Sequence, residues 1–136
     1  MTLVLDGSAT LAWCLPDERS EATEDVRRLV ATEGAVVPVL WRLEVTNGLM
    51  MAMRRRRLTE TVAIALLSEV DDMAISVDSE AGGAIWARDW QLAATHRLTL
   101  YDASYLEPAL RRRLPLATLD AALARAATTE GVTVLP

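Results

Sequence analysis

Short apolar runs alternate with longer segments of helical periodicity along the chain, and this alternation limits the possible folds more than any other feature. The runs lie at residues 3–5, 35–37, 74–77, 98–100, 116–118 and 132–134, and their brevity and composition predict strands. Strands separated by amphipathic helices favour a central, mostly parallel sheet of about five strands with helices on both faces. We therefore expect one α/β domain over residues 1–136, with the run at 132–134 as an optional last strand.

The segments between these runs predict the helices and several of their ends. Helices are expected at residues 8–15, 20–30, 39–53, 79–95, 102–110 and 120–127, with a further helix that Thr59 caps. Ser8 and Asp102 are the expected N-caps of the helices that they begin, and Gly34 should end the second helix. The long helix at 39–53 would carry Glu44 in its middle, with Asn47 as a polar partner and Gly48 as a gap on the same face.

Composition excludes several classes of function. No apolar run reaches the roughly 18 residues needed to cross a bilayer, and the amino terminus lacks the pattern of a secretory signal. Cys14 is the single cysteine, so no internal disulfide can form and a cytoplasmic location is expected. All 14 basic residues are arginine. The absence of lysine excludes a P-loop lysine, a Schiff-base enzyme and a phospho-acceptor receiver domain.

Seven of the arginines form two blocks in a chain whose net charge is −5. Residues 54–57 end a predicted helix, where a solvated terminus and a contact with RNA or a protein partner are equally reasonable interpretations. The second block lies between Asp102 and Asp120, and we expect it to contact the phosphate groups of a polyanion such as RNA. It consists of Arg111, Arg112 and Arg113.

Four carboxylates stand in apolar surroundings where an isolated charge would be costly, and they suggest a metal site. They are Asp6, Glu44, Asp102 and Asp120. The three aspartates follow predicted strands, and ligands of parallel sheets bind beyond the carboxyl ends of strands. Acids that meet there raise one another's pKa unless a cation is present, and an all-oxygen ligand set favours Mg²⁺ or Mn²⁺. Such a metal suits phosphodiester hydrolysis.

Each acid also has a simpler interpretation. Asp102 and Asp120 begin predicted helices and could be plain N-caps, a role that does not exclude metal binding. A phosphohydrolase with Asp6 as covalent nucleophile is an alternative, although Ser8 stands where its second acid would be expected and no lysine is available. A third possibility is a non-catalytic interaction module on the same fold.

Four motifs in order give the chain a resemblance to PIN-domain proteins of the VapC toxin type, over essentially its whole length. The motifs are Leu5-Asp6-x-Ser8-Ala9, Glu44-Val45-x-Asn47-x-Leu49, Tyr101-Asp102-Ala103-x-Tyr105-Leu106 and Leu116-x-Thr118-x-Asp120-x-x-Leu123.

This resemblance implies a PIN-like three-layer sandwich and a Mg²⁺-dependent endoribonuclease that a VapB-type antitoxin neutralises, with a homodimer as the expected assembly. Asp6 and Asp102 would be the principal metal ligands, Glu44 and Asp120 would complete an acidic quartet, and Ser8, Thr118 and Asn47 would support them. Water activated by the metal would attack in line, leaving a 5′-phosphate and a 3′-hydroxyl. Gly7, where the family often has another small residue, is a minor departure.

Overall fold

A computed structural model describes residues 2–79 and 83–136. Within these ranges five strands alternate with seven helices. The strands are β1 (Leu3–Leu5), β2 (Ala35–Val37), β3 (Ile75–Val77), β4 (Leu116–Ala117) and β5 (Val134–Leu135). The helices are α1 (Gly7–Cys14), α2 (Glu21–Glu33), α3 (Trp41–Arg54), α4 (Glu60–Asp71), α5 (Gly83–His96), α6 (Leu100–Arg112) and α7 (Ala121–Thr129).

The strands form one sheet in the order β3-β2-β1-β4-β5, and every neighbouring pair is parallel. The expected α/β fold, with helices in layers on the two faces of the sheet, is confirmed. From β1 the chain adds β2 and β3 on one side and then β4 and β5 on the other, so the strand order reverses between β1 and β4. A crevice forms at such a reversal, beyond the carboxyl ends of the two strands.

The central strand β1 forms the middle of the core because all three of its side chains are apolar and fully buried. A strand covered on both faces needs this continuous apolar pattern. Its neighbour β4 is also fully buried, and the Asp6 N–H donates to the Ala117 carbonyl at 3.0 Å. The register of β1 and β4 therefore fixes the start of the segment that follows each strand.

Several predicted helix ends are confirmed. Ser20 caps α2 through a capping box with Thr23, and Gly34 follows the last residue of that helix with a φ of 78°. Thr59 caps α4, and its hydroxyl accepts a hydrogen bond from the Val62 N–H at 3.3 Å. These ends depend on side chains within three residues of the helix, which is why a local sequence pattern suffices to find them.

The strand expected at residues 98–100 is wrong. The Thr99 hydroxyl accepts a hydrogen bond from the Asp102 N–H at 3.1 Å, so Thr99 is the N-cap of α6 and Asp102 lies inside the first turn instead of capping it. Three alternating residues do not distinguish a strand from a cap and its helix. The spacing from Thr99 to an acid three residues later is a helix-start signal that overrides the alternation.

Two other expected helix starts are corrected. The residue that precedes α1 is Asp6, and Ser8 lies inside that helix, where its hydroxyl donates to the Asp6 carboxylate. Helix α3 begins at Trp41, later than expected, so Glu44 occupies its first turn and not its middle. A carboxylate is favourable in a first turn because the amino end of a helix carries partial positive charge.

The remaining strands and helices differ from expectation by small shifts. The optional last strand is present as β5. It begins at Val134, two residues later than the expected run at 132–134. The first residues of the helix expected at 79–95 include 80–82, which lie outside the described residues. No helix in the described ranges has the combined length and apolarity of a membrane span.

Candidate active site

Asp6 lies at the carboxyl end of β1, in the crevice where the strand order reverses. Its side chain is only 4% exposed. The Ser8 and Thr118 hydroxyls each donate to Asp6 Oδ2 at 2.7 Å, and neither bond uses Oδ1. Burial raises the pKa of Asp6 despite these hydrogen bonds, and the charge of Asp120 raises it further. The crevice therefore contains a buried carboxyl group whose burial is only partly compensated by two hydrogen bonds.

The segment after β4 closes around this carboxyl group through short polar contacts. The Leu119 N–H donates to Ser8 Oγ at 3.0 Å, and the Asp120 N–H donates to Thr118 Oγ1 at 3.0 Å. Asp120 Oδ1 accepts from the Leu123 N–H at 2.8 Å, so Asp120 is the N-cap of α7, as its simpler interpretation predicted. Residues more than 100 positions apart in the chain are joined here by hydroxyl groups.

Glu44 reaches the same place from the first turn of α3. Its Oε2 would lie 3.0 Å from a Cβ atom at position 7, so Gly7 leaves the space that the carboxylate occupies. The pKa of Glu44 is raised to about 7, chiefly by burial and further by the charges of Asp6 and Asp102. The departure at Gly7 therefore has a steric consequence: it permits a close approach between α1 and the Glu44 side chain.

Asp102 completes the group from the first turn of α6. Burial raises its pKa, and the charges of Asp120 and Asp6 add to this effect. Each of the four acids therefore experiences the charge of another or exerts its own charge on one of them. The structure brings into one electrostatic neighbourhood the four carboxylates that were singled out from four separate parts of the sequence.

Tyr105 is a neighbour of this group that the sequence analysis did not single out. Its side chain is fully buried, and among the described residues its Oη atom makes no hydrogen bond of full geometry, although it lies close enough to the Glu44 carboxylate and the Gly7 backbone to interact with both. Burial raises the pKa of Tyr105, and the charges of Asp6 and Glu44 raise it further. Placing Asp102 inside α6 would have revealed this neighbour, since residues three positions apart share a face of a helix.

Two expected contributions from α3 have a different outcome. Asn47 is exposed and makes no hydrogen bond to the four acids within the described ranges. At Gly48 a Cβ atom would lie 2.4 Å from Leu11 Cδ1, so this glycine permits close packing of α3 on α1. The gap predicted for a ligand is filled by a leucine side chain.

The structure does not bring the second arginine block to the acids. Nine residues separate Arg111 from Asp102 along α6, a rise of about 13 Å. The Arg111 guanidinium forms ion pairs with Glu107 and Asp78, and Arg112 Nε lies 3.4 Å from Asp78 Oδ1. Arg113 follows the last residue of α6, shortly before β4 begins. It therefore lies near the amino-terminal ends of the strands, whereas the crevice lies beyond their carboxyl ends.

The metal-binding capacity of the site depends on its donor chemistry. In the part of the chain that the structure describes, no three Asp, Glu, His or Cys side chains are grouped so that they could hold an ion directly. The available donors are carboxylate and hydroxyl oxygens. This set fits a hydrated Mg²⁺, which usually keeps several waters and takes only one or two protein carboxylates.

Comparisons with known proteins identify the family of the chain. The family model for the PIN domain matches residues 3–128. Ribonuclease VapC3 of Pyrobaculum aerophilum is 33% identical over 124 residues, which cover 91% of this chain and 93% of that protein.

Two crystal structures share the fold. PAE2754 from Pyrobaculum aerophilum has a TM-score of 0.74 and 23% identity, covering 98% of this chain and 89% of that one. FitAcB from Neisseria gonorrhoeae has a TM-score of 0.61 and 20% identity, covering 100% and 97%. The chain therefore belongs to the PIN-domain family, and its similarity to Ribonuclease VapC3 places it among the VapC-type members.

Proposed function

We propose that this protein is a Mg²⁺-dependent endoribonuclease and the toxin component of a toxin-antitoxin pair. The observation that carries this proposal is the meeting of four acids at the strand-order reversal, where burial and then the charges of neighbouring acids raise the pKa values of Asp6, Glu44 and Asp102. The similarity to Ribonuclease VapC3 supports RNA as the substrate. Asp6, Glu44, Asp102 and Asp120 are the proposed active-site acids.

Asp6 and Asp102 would hold the metal, with Glu44 and Asp120 completing its surroundings; Mn²⁺ could replace Mg²⁺ because both prefer oxygen ligands. When bound, the ion supplies the positive charge that activates water and stabilises the charge on the cleaved phosphate. Hydrolysis joins a water oxygen to phosphorus and breaks the bond to the 3′-oxygen, giving a 5′-phosphate and a 3′-hydroxyl.

The residues around Asp6 have a positioning role in this proposal. Two hydroxyls hold Oδ2, so the carboxylate keeps one orientation while Oδ1 is spared from both bonds. Ser8 and Thr118 therefore limit the freedom that Asp6 would lose on binding a ligand. The same contacts disfavour Asp6 as a covalent nucleophile, because one of its oxygens is occupied and the side chain is buried.

Exposed apolar side chains support protein partners, which we propose to be a VapB-type antitoxin and a second copy of the chain. Trp86 and Trp90 on α5 are 79% and 69% exposed, and Val39 and Leu43 near the start of α3 are also strongly exposed. Large exposed apolar side chains in groups are typical of interaction surfaces.

The proposal is tested by incubating the purified chain, free of any partner, with total cellular RNA in Mg²⁺ or in EDTA. We expect cleavage in Mg²⁺ only, with 5′-phosphate ends, and loss of cleavage in Asp6→Asn. The matched control is Asp72→Asn, which changes an exposed aspartate at the end of α4 and should leave cleavage unchanged.

Other outcomes would assign the protein to another class. Cleavage that persists in EDTA or in Asp6→Asn would contradict the proposed site. Phosphate release from small phosphomonoesters without RNA cleavage would favour the phosphohydrolase alternative, and binding of a protein partner without either activity would favour an interaction module.

A further inference from the structure

A cleft of about 480 Å³ opens beside Asp120 and connects it to the first arginine block. Ser8 and Asp120 line one part of it. Gly48, Arg55 and Arg57, from the later half of α3 and the segment after it, line another. The cleft therefore joins residues of the proposed active site to side chains that carry positive charge.

The two arginines of this cleft differ in what they contact. Arg57 is occupied, because its Nη2 lies 2.6 Å from Asp17 Oδ1 and 2.7 Å from Glu18 Oε2. Arg55 is exposed, and the structure gives it no ion pair or side-chain hydrogen bond within the described ranges. The cleft therefore contains one positive charge that the protein itself does not neutralise.

The positive charge of Arg55 reduces the repulsion that the four acids exert on a phosphate group. Four carboxylates repel a polyanion, and the chain as a whole carries a net charge of −5. A divalent ion would offset only part of this negative charge, so a cation from the protein in the adjoining cleft favours the entry of a phosphate. Arginine suits this role because its guanidinium presents several N–H donors to phosphate oxygens while remaining charged.

A helix end alone explains an arginine at this position but not its place in the cleft. Arg55 follows the last residue of α3, where a cation complements the partial negative charge of the carboxyl end. Arg54 satisfies the same preference and does not line the cleft. The position of Arg55, and not the charge run as such, points to a ligand.

We propose that Arg55 binds a backbone phosphate of the RNA strand adjacent to the phosphate that is cleaved. This inference rests on the proposed function and transfers the role expected of residues 111–113 to the other arginine block. The contact recognises phosphate and not base, so it should position RNA of any sequence.

The test compares Arg55→Gln with Arg113→Gln. The second variant removes an exposed arginine near the amino-terminal ends of the strands, away from the crevice. Cleavage of a fluorogenic single-stranded RNA in Mg²⁺ should show KM raised about 3- to 10-fold in Arg55→Gln, with kcat changed less than about 2-fold. Arg113→Gln should match the unsubstituted protein in both constants.

RNA binding is measured separately by fluorescence anisotropy in the Asp6→Asn background, with a labelled single-stranded RNA at several salt concentrations. Adding Arg55→Gln should weaken binding and reduce the slope of log K against log salt by about 0.7, the value for one lost phosphate contact on a single strand. Thermal unfolding of each variant checks that the fold is retained.

The outcomes separate this inference from the proposed function. If the unsubstituted protein cleaves RNA, and Arg55→Gln has the same KM and the same salt slope, then the role of Arg55 is overturned while the proposed nuclease activity stands. Equal effects of Arg55→Gln and Arg113→Gln overturn it as well, since they indicate a general charge effect. If Arg55→Gln instead weakens only binding of the antitoxin protein, the cleft is a protein site and the inference is wrong.

Discussion

Replacing Glu44 with glutamine should stabilise the metal-free protein while impairing the proposed active site. Burial raises the pKa of Glu44 to about 7, with further contributions from the charges of Asp6 and Asp102. Glutamine preserves the shape of the side chain and removes the charge that burial and these two neighbours disfavour. The substitution therefore relieves a repulsion that exists in the folded state and is absent in the unfolded chain.

The sign and size of the effect follow from proton linkage. The pKa of Glu44 is about 7 in the folded protein, whereas the ordinary value for a glutamate is 4.5, so the folded state binds more protons between these limits. Stability should consequently fall as pH rises from about 4.5 to about 7 and stay low above that range. At about 1.4 kcal/mol per pKa unit the upper limit of the destabilisation is about 3.5 kcal/mol. Solvent screening of a partly exposed carboxylate reduces it to about 1–2 kcal/mol.

The assay is thermal unfolding in EDTA at two pH values. For a domain of this size 1 kcal/mol corresponds to about 3–4 °C, so Glu44→Gln should raise Tm by about 3–8 °C at pH 8 and very little at pH 4.5. Added Mg²⁺ should narrow the difference at pH 8, because an ion that binds the folded unsubstituted protein more tightly than the folded variant stabilises the unsubstituted protein more.

Glu69→Gln is the matched control, since Glu69 is an exposed glutamate on α4. It should leave Tm nearly unchanged at both pH values. A Tm of Glu44→Gln at or below that of the unsubstituted protein at pH 8 would refute the idea that the four acids repel one another in the absence of metal.

Two further predictions concern buried polar groups outside the quartet. Tyr105→Phe removes a buried hydroxyl that makes no hydrogen bond of full geometry, so the free energy of unfolding in urea should rise by about 1 kcal/mol, while Tyr101→Phe changes an exposed ring and should have little effect. Arg111→Ala deprives Glu107, which is 2% exposed, and Asp78 of a shared cation, so the free energy of unfolding in urea should fall by about 3 kcal/mol.

Each of these has a contrary outcome. A loss of stability in Tyr105→Phe would mean that the hydroxyl donates to the Glu44 carboxylate in solution. Arg125→Ala, an exposed arginine on α7, is the control for Arg111→Ala. Equal stability of these two variants would mean that neighbouring arginines fully replace the lost ion pairs.

The sequence by itself predicted the fold class and was sufficient to single out the four acids as candidates. Residues 3–5 and 35–37 are continuous apolar runs, and the structure has both as buried strands of a parallel sheet. Helix α2 begins after Ser20 and is followed by Gly34, as expected, because capping groups act within one turn of a helix. The acids could be named because a charge within an apolar segment is conspicuous without any knowledge of its neighbours.

Only the tertiary structure decided which of the polar residues meet. The sequence offered Ser8 as a helix cap and, through the family resemblance, as a supporting hydroxyl together with Thr118; the β1–β4 pairing brings Thr118 to Asp6 and places Ser8 in the same network, inside α1. It also favoured Arg111 for RNA, whereas the fold engages that side chain in internal ion pairs and leaves Arg55 in the cleft beside the acids.

The physical reason lies in the range of the forces that set each feature. Caps and apolar periodicity act over three or four residues and are therefore visible in the chain itself. The meeting of residue 6 with residue 118 depends on which strands become neighbours, and that choice is made by burial of the whole sheet. The chemistry of each group was thus determined by the sequence, and its neighbours were determined by the strand order.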